Sequence, residues 1–367
     1  MGYPTREEIL KQISTLSDLE IAEIYTRYFP HENEEEVKNV DDNDIHTESS
    51  PSKGKKSDCI VKTVDKVEDS RECPFCKAGS ILKNGRRKDV QRYKCKTCGK
   101  SFTITTHNIL SGSHQSVDVW KDVLEDTLSG QSIDDTAERK GLSHQCVFFM
   151  RHKILMAMEK IQEDEPTVLG NVTEMDETYV LESRKGNEFD DHSDRPPRKR
   201  GSKASKRGLS DEQICVCTGI ERGGKSYIRT VNRAKPSNHE LETVFAGHLE
   251  EGTMCLTDGL KGYKKVGSKL GCQVVDATAV RENPKEGEKA FFHINNVNSV
   301  HSSYKARYHR YRGVATKYIN RYNTMFGYSY KITPEEIDEL WRKILDVRLE
   351  DWSVTIEETK SKGLLYL

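Results

Sequence analysis

Three side chains far apart in the chain have the chemistry to share divalent cations: Asp176 within Thr173 to Val180 (T-E-M-D-E-T-Y-V), Asp258 within Met254 to Gly259 (M-C-L-T-D-G), and Asn298 within His293 to Lys305. Carboxylate and amide oxygens are hard donors that suit Mg2+ or Mn2+. Lys305, seven residues beyond Asn298, adds an ammonium that would face a phosphate. A second set of ligands is softer. Cys73-Pro-Phe-Cys76 and Cys95-Lys-Thr-Cys98 are two C-x2-C pairs separated by 18 residues, a spacing that wraps one tetrahedral Zn2+ in four thiolates. That set leaves no position open for a substrate, so the zinc would be structural. A redox C-x-x-C pair is the rival, and two matched pairs flanked by Gly99, Tyr93 and Phe102 weigh against it.

These residues need elements to bring them together. Thr173 to Val180 reads as a strand with Met175, Glu177 and Tyr179 on one face and Glu174, Asp176 and Thr178 on the other, so Asp176 can enter a shared site while Glu177 turns away. An edge strand with a solvated acidic face is the plainer alternative. Strands are predicted at Gln213 to Ile220 and Ser226 to Val231, joined at Gly223-Gly224 as a hairpin. A helix from Ser237 to Leu249 opens on a Ser237/Glu240 capping box. A strand from Thr253 to Thr257 ends in Asp258-Gly259, and a helix and a last strand, Cys272 to Ala277, follow. Strand, hairpin, helix, strand, helix, strand is the order of an α/β ribonuclease-H-like sheet, in which the first strand and the strand after the crossover helix lie side by side. Asp176 and Asp258 would then face one site. A helix from His293 to Arg312 sets Asn298, His301 and Lys305 on one face at i, i+3 and i+7, with Lys305 and His301 turned toward a phosphate.

Upstream, the cysteine pairs enclose an N-terminal zinc ribbon over residues 71–107. Cys73 to His107 holds nine lysines or arginines against one acid, Asp89, which points to DNA backbone contact through Arg86, Arg87, Lys88, Arg92 and Lys94. Residues 115–160 carry three helical stretches, the first broken at Gly130, the second capped by Ser132 and the third entered through the turn Gly141-Leu-Ser143, in a helix-turn-helix pattern. Its exposed candidates are Ser143, His144, Gln145, Arg151 and Lys153, of which Gln145 and Arg151 are taken as DNA contacts. Within the catalytic stretch, 170–330, the interruption at 185–208 is rich in lysine and arginine, and Arg198, Lys199 and Arg200 are free to reach phosphates. Arg307 and Arg310 join them. Residues 1–30 read as a helical segment, 31–70 as a polar, acidic linker, and 331–367 as a C-terminal helical segment opening at Thr333-Pro334.

The formal net charge of -1 hides this segregation of sign: Phe291 to Thr333 contains seven lysines or arginines and no acid. Local charge points to a polyanion partner. No apolar run approaches the roughly 20 residues of a membrane span, no signal peptide opens the sequence, and ten cysteines without a secretory signal do not suggest a disulfide framework. The expectation is a cytoplasmic, nucleoid-associated protein with no membrane partner.

The two C-x2-C pairs, the helix-turn-helix pattern, then M-D-E-T-Y-V, K-R-G-L-S-D-E-Q-I-C-V, L-T-D-G, H-I-N-N-V-N-S-V-H-S and R-G-V-A-T-K-Y, in that order from about Cys73 to Tyr328, resemble the ISXO-like insertion-sequence transposases, which are DDE-type enzymes. The resemblance implies a DNA transposase of a bacterial insertion sequence. Such an enzyme binds the terminal inverted repeats and target as double-stranded DNA, cleaves and transfers strands with two Mg2+ or Mn2+ ions, and acts as a homo-oligomer. Asp176 and Asp258 would take the first two catalytic places. The third place, usually Glu, holds Asn298, as in a branch of the family with a basic residue seven positions on, here Lys305. Two other readings stay open: a catalytically inactive or domesticated DNA-binding regulator of the same fold, and a zinc-ribbon protein of the transcription machinery.

Overall fold

The computed structural model describes residues 72–87, 90–184, 204–205, 208–280, 282, 290–311, 314–349 and 352. The expected helix and linker over 1–70, and Lys88, Arg198, Lys199 and Arg200, lie outside them.

Three short strands, β1 (Ile81–Arg87), β2 (Val90–Cys95) and β3 (Ser101–Thr103), form an antiparallel sheet in that order. Its core is small: Tyr93 stacks on Phe102 at 5.8 Å between ring centroids, beside the buried Cys73 and Cys95. So little apolar area cannot hold a fold unaided, which is where a metal staple is expected.

Three helices follow, α1 (Val117–Ser129), α2 (Ile133–Lys140) and α3 (His144–Asp164). Ser116, Ser132 and Ser143 cap them, each side chain accepting from an amide three residues on. The third helix runs past the expected end near Met158 to Asp164. This bundle does not close on itself. Trp120, Leu124, Leu155 and Met158 share one core with Met325, Trp341 and Ile344 from two later helices, α7 (Ile319–Ser329) and α8 (Pro334–Asp346).

The central sheet has five strands: β4 (Val172–Leu181), β5 (Gln213–Glu221), β6 (Ser226–Arg233), β7 (Met254–Thr257) and β8 (Gln273–Asp276). Their order is β6-β5-β4-β7-β8, with β4, β5 and β6 antiparallel and β4, β7 and β8 parallel. This is the mixed sheet of a ribonuclease-H-like fold. One face packs on α4 (Asn238–Phe245) and α5 (Lys261–Lys269) through Met175, Cys217, Leu241, Phe245 and Tyr263. The other packs on α6 (Asn295–Arg310) and α7 through Val216, Ile228, Val297, Val300, Tyr304 and Phe326. Each such fully buried side chain contributes about 1.5–3 kcal/mol, which fixes α6 against β4.

The capping boxes Ser237/Glu240 and Thr333/Glu336 are both formed. The first helix is shorter than expected, ending at Phe245. Helix α7 was not anticipated. Its apolar Ile319, Tyr322, Met325 and Phe326 are interleaved with the equally buried Asn323, Thr324 and Ser329, which blurs its pattern in the sequence.

Candidate active site

Strand β4 pairs with β7 in parallel, Val172 opposite Met254, Thr173 opposite Cys255 and Glu174 opposite Leu256. Continuing that register past the end of β7 sets Asp176 level with Asp258, on neighbouring strands that run about 4.8 Å apart. The turn after Asp258 is closed by its own side chain, Oδ1 accepting from the Leu260 amide at 3.2 Å. Gly259 follows at φ +87°, and a Cβ there would collide with the Asp276 carboxylate at the end of β8, so glycine is required twice over. Asp276 itself is turned into its own loop, Oδ1 accepting from the Thr278 and Ala279 amides.

Alternation on β4 runs as the sequence suggests. Glu177 faces α5, where its Oε2 accepts from the Tyr263 hydroxyl at 3.0 Å. Asp176 faces α6, where His301 Nδ1 lies 3.5 Å from its Oδ2. Burial pushes the Asp176 carboxyl up to about 6, with the charge of Asp258 adding to the shift and that of Lys305 opposing it. Burial likewise pushes Glu177 up to about 7, against the Tyr263 hydrogen bond and with the charges of Asp176 and Asp258 adding. Asp258 and Lys305 are thus electrostatic neighbours of Asp176. His301 was expected to reach a phosphate, and the structure corrects this: it is 7% exposed, its Nε2 has no partner, and burial followed by the charge of Lys305 lowers it to about 4. A neutral imidazole turned inward onto Asp176 cannot meet DNA. Asn298 and Lys305 are exposed on the same helix face, one turn before and one turn after it.

The residue that sequence reading passed over is Glu174. It is fully buried on the Asp176 face of β4, where it meets Arg222, His293 and the first turn of α6. Its partners lie 48 to 123 residues away, so only its place beside Asp176 could have drawn attention to it.

Residues 167–331 match the family model of the ISXO2-like transposase domain. The chain is also similar to an uncharacterized protein in transposable element ISH50 of Halobacterium salinarum, 25% identical over 285 residues that cover 76% of this chain and 91% of that protein. Residues 167–331 are an ISXO2-like transposase domain, and the chain is read with it as the DNA transposase of an insertion element. Among solved structures the transposase is similar to a pre-cleavage Mos1 transpososome, with a TM-score of 0.23 and 9% identity over 64% of this chain and 80% of that one. It is also similar to the Mos1 mariner paired end complex with Mn, with a TM-score of 0.19 and 10% identity over 60% of this chain and 80% of that one.

Among the described residues of the transposase, Cys73, Cys76, Cys95 and Cys98 are the one group of three or more His, Cys, Asp or Glu ligands close enough to share a metal, their sulfurs all within 4.8 Å of one another. Cys73 Sγ lies 3.6 Å from Cys98 Sγ, and Cys76 Sγ 3.6 Å from Cys95 Sγ. A tetrahedron with Zn–S of about 2.3 Å has edges of about 3.8 Å, so the cluster can hold zinc without rearrangement. The carboxylates of Asp176 and Asp258 and the amide oxygen of Asn298 are donors of the hard kind that Mg2+ or Mn2+ takes.

Of the residues read as DNA contacts, Arg86, Arg87, Lys94, Gln145 and Arg310 are exposed and Arg92 is half-buried. Ser143 and His144 are also exposed, and Lys153 is half-buried. Two arginines are corrected. Arg151 is fully buried, its Nε donating to Thr127 Oγ1 at 3.2 Å and a terminal nitrogen to the Gln131 carbonyl at 2.9 Å. It shares the apolar stripe of Val147, Ile154, Leu155 and Met158, a pattern the sequence already contained. Arg307 also turns inward, bonding Ser329 and lying 4.8 Å above the Phe326 ring. No helix among the described residues is long and apolar enough to cross a membrane.

Proposed function

We propose that the transposase cuts and joins DNA strands at the β4, β7 and α6 junction, with Asp176, Asp258 and Asn298 as ligands for two Mg2+ or Mn2+ ions and Lys305 as the phosphate contact. One observation supports the reading: β4 and β7 pair in parallel as far as Glu174 opposite Leu256, two residues short of Asp176 and Asp258, and His301, on the helix that bears Asn298 and Lys305, lies 3.5 Å from Asp176. Ions bound there would supply Lewis acidity to an attacking water or 3′-hydroxyl and offset charge developing on the phosphate. The rest falls to the chain. Asp176 and Asp258 provide the negative charge that attracts the cations, and His301 Nδ1 stands 3.5 Å behind one Asp176 oxygen. Asn298 adds a neutral oxygen, a weaker donor than Glu, which favours Mn2+ over Mg2+. Lys305, exposed on the same face, holds the scissile phosphate.

The surrounding modules supply the DNA. Four thiolates hold a structural Zn2+, and the ribbon over 71–107 presents Arg86, Arg87, Arg92 and Lys94 to the backbone. The helices over 115–160 present Ser143, His144 and Gln145 at the start of α3, where a recognition helix meets a groove. Arg310 extends the basic surface beyond Lys305. Two element ends must be held together, so the working species is a homo-oligomer. The test is strand cleavage on a terminal-repeat duplex with Mg2+ or Mn2+. Asp176→Ala and Asp258→Ala are expected to abolish nicking while leaving duplex binding intact; nicking retained by either variant removes that acid from the site.

A further inference from the structure

Helix α6 draws little capping from its own segment: the Asn295 amide donates to His293 Nδ1 at 3.3 Å. Ile294 stands at the N-cap position and offers no side-chain hydrogen bond, although a helix start leaves four amides without intrahelical partners. The missing acceptor comes from β4. Glu174 Oε2 accepts from the Asn296 and Val297 amides at 2.8 and 3.1 Å, and Oε1 accepts from Asn296 Nδ2 at 2.8 Å. Arg222 Nε donates to Oε1 at 2.8 Å, and another of its nitrogens donates to the His293 carbonyl at 3.0 Å. The carboxylate is fully buried, both oxygens are occupied, and its charge sits at the positive end of the helix dipole.

We propose that Glu174 is the positioning residue of the active site, the clamp that ties the first turn of α6 to the strand carrying Asp176. The proposal rests on the reading in which Asp176, Asp258 and Asn298 share the cations. Glu174 and Asp176 stand two residues apart on one face of β4. Along α6 the matching contacts are made by Asn296 and Val297 with Glu174, and by His301 with Asp176. Asn298 lies between these two anchors, so its height above the acids is fixed from both sides. Stability alone is a poor explanation of the clamp, because a buried ion pair seldom outperforms an apolar pair of equal volume. What an apolar pair cannot do is cap two amides and set a helix start. Glu174 touches neither substrate nor cation; it acts through Asn298 and Lys305.

The test compares wild type, Glu174→Gln, Asn298→Ala and the double variant in the full chain, with Asp176→Ala alongside. Folding is followed by circular dichroism and duplex binding. In Glu174→Gln the Asn296 and Val297 amides are expected to exchange at least about tenfold faster. Mn2+, titrated by its electron spin resonance signal, should bind about tenfold more weakly, and kcat for cleavage should fall at unchanged KM for DNA, as for other groups that orient ligands. Adding Asn298→Ala should bring little further loss of kcat. Should Glu174→Gln alone fail to fold, Glu174→Gln with Arg222→Met, which removes the orphaned guanidinium, takes its place. Wild-type Mn2+ affinity and kcat in the folded variant, or losses that simply add to those of Asn298→Ala, overturn the proposal. Cleavage that survives Asp176→Ala overturns instead the active-site reading; with Asp176→Ala inactive and Glu174→Gln unaffected, only the positioning role falls.

Discussion

Replacing Asp176 by Asn should make the cation-free protein more stable at neutral pH while ending its activity. The Asp176 carboxyl moves from an ordinary 3.8 to about 6 in the folded chain, because burial and the charge of Asp258 disfavour its ionised form. The folded state therefore holds this proton more tightly than the unfolded state does. The associated stability is fully present below pH 3.8, is lost as pH rises through 6, and stays lost above it. About two pH units at about 1.4 kcal/mol each give a swing of about 3 kcal/mol. Asn carries no charge to desolvate, but it gives up hydrogen bonding worth about 1 kcal/mol. Compared with wild type, Asp176→Asn should thus run from a deficit of about 1 kcal/mol near pH 4 to a gain of about 2 kcal/mol at pH 8. Urea unfolding at several pH values, with the ribbon zinc retained and no Mg2+ or Mn2+ added, measures this directly. Added Mn2+ should then reverse the order, stabilising wild type by about 2.7 kcal/mol at a hundred times its dissociation constant and the variant hardly at all. A stability difference that does not change with pH, or a variant less stable at pH 8, would refute the electrostatic account of the site.

Arg151→Met should lower stability by about 2–4 kcal/mol through loss of its bonds to Thr127 and Gln131, yet leave duplex affinity and its salt dependence unchanged in the folded fraction. Lys94→Ala, exposed on the ribbon, should instead flatten the salt slope by about one unit with stability unchanged; the reverse pattern would restore Arg151 as a DNA contact. Gly259→Ala must hold a left-handed φ at about 1–2 kcal/mol and push aside Asp276, so cleavage should drop at least about tenfold with DNA binding intact; a fully active variant would show that the turn after Asp258 tolerates movement. If the four thiolates hold zinc, stripping it with a chelator should expose the amides of β1 to β3 to fast hydrogen exchange, since a metal held there would provide most of the folding free energy of so small a unit. Protection that persists without metal would show that the ribbon stands on its own core.

What the sequence disclosed and what it hid divide along range. The strand pattern of Thr173 to Val180, the capping box at Ser237/Glu240 and the helix opening at Thr333-Pro334 are decided within a few residues, and each appears in the fold as read. The order of elements then placed β4 beside β7, the strand that leads into Asp258. Glu174 had to remain an unremarked acid, because its worth comes from an arginine 48 residues on and a helix start 122 residues on. His301 was read as a surface histidine because spacing puts it on the Asn298 face; that β4 covers the middle of this face is a tertiary fact. Arg151 is a different kind of miss. Its stripe was visible, but its charge was given more weight than its neighbours, and a buried cation is tolerable only when fixed acceptors such as Thr127 and Gln131 await it.

Whether β4, β7 and α6 converge to grip divalent cations can be seen from the anomalous scattering of Mn2+ in crystals of the transposase bound to a cut element end. Mn2+ peaks are expected within coordination distance of the Asp176 and Asp258 carboxylates, with the Asn298 side-chain oxygen completing the protein ligands and Lys305 on the adjoining phosphate. Strong peaks elsewhere with none at Asp176 and Asp258 would contradict that convergence.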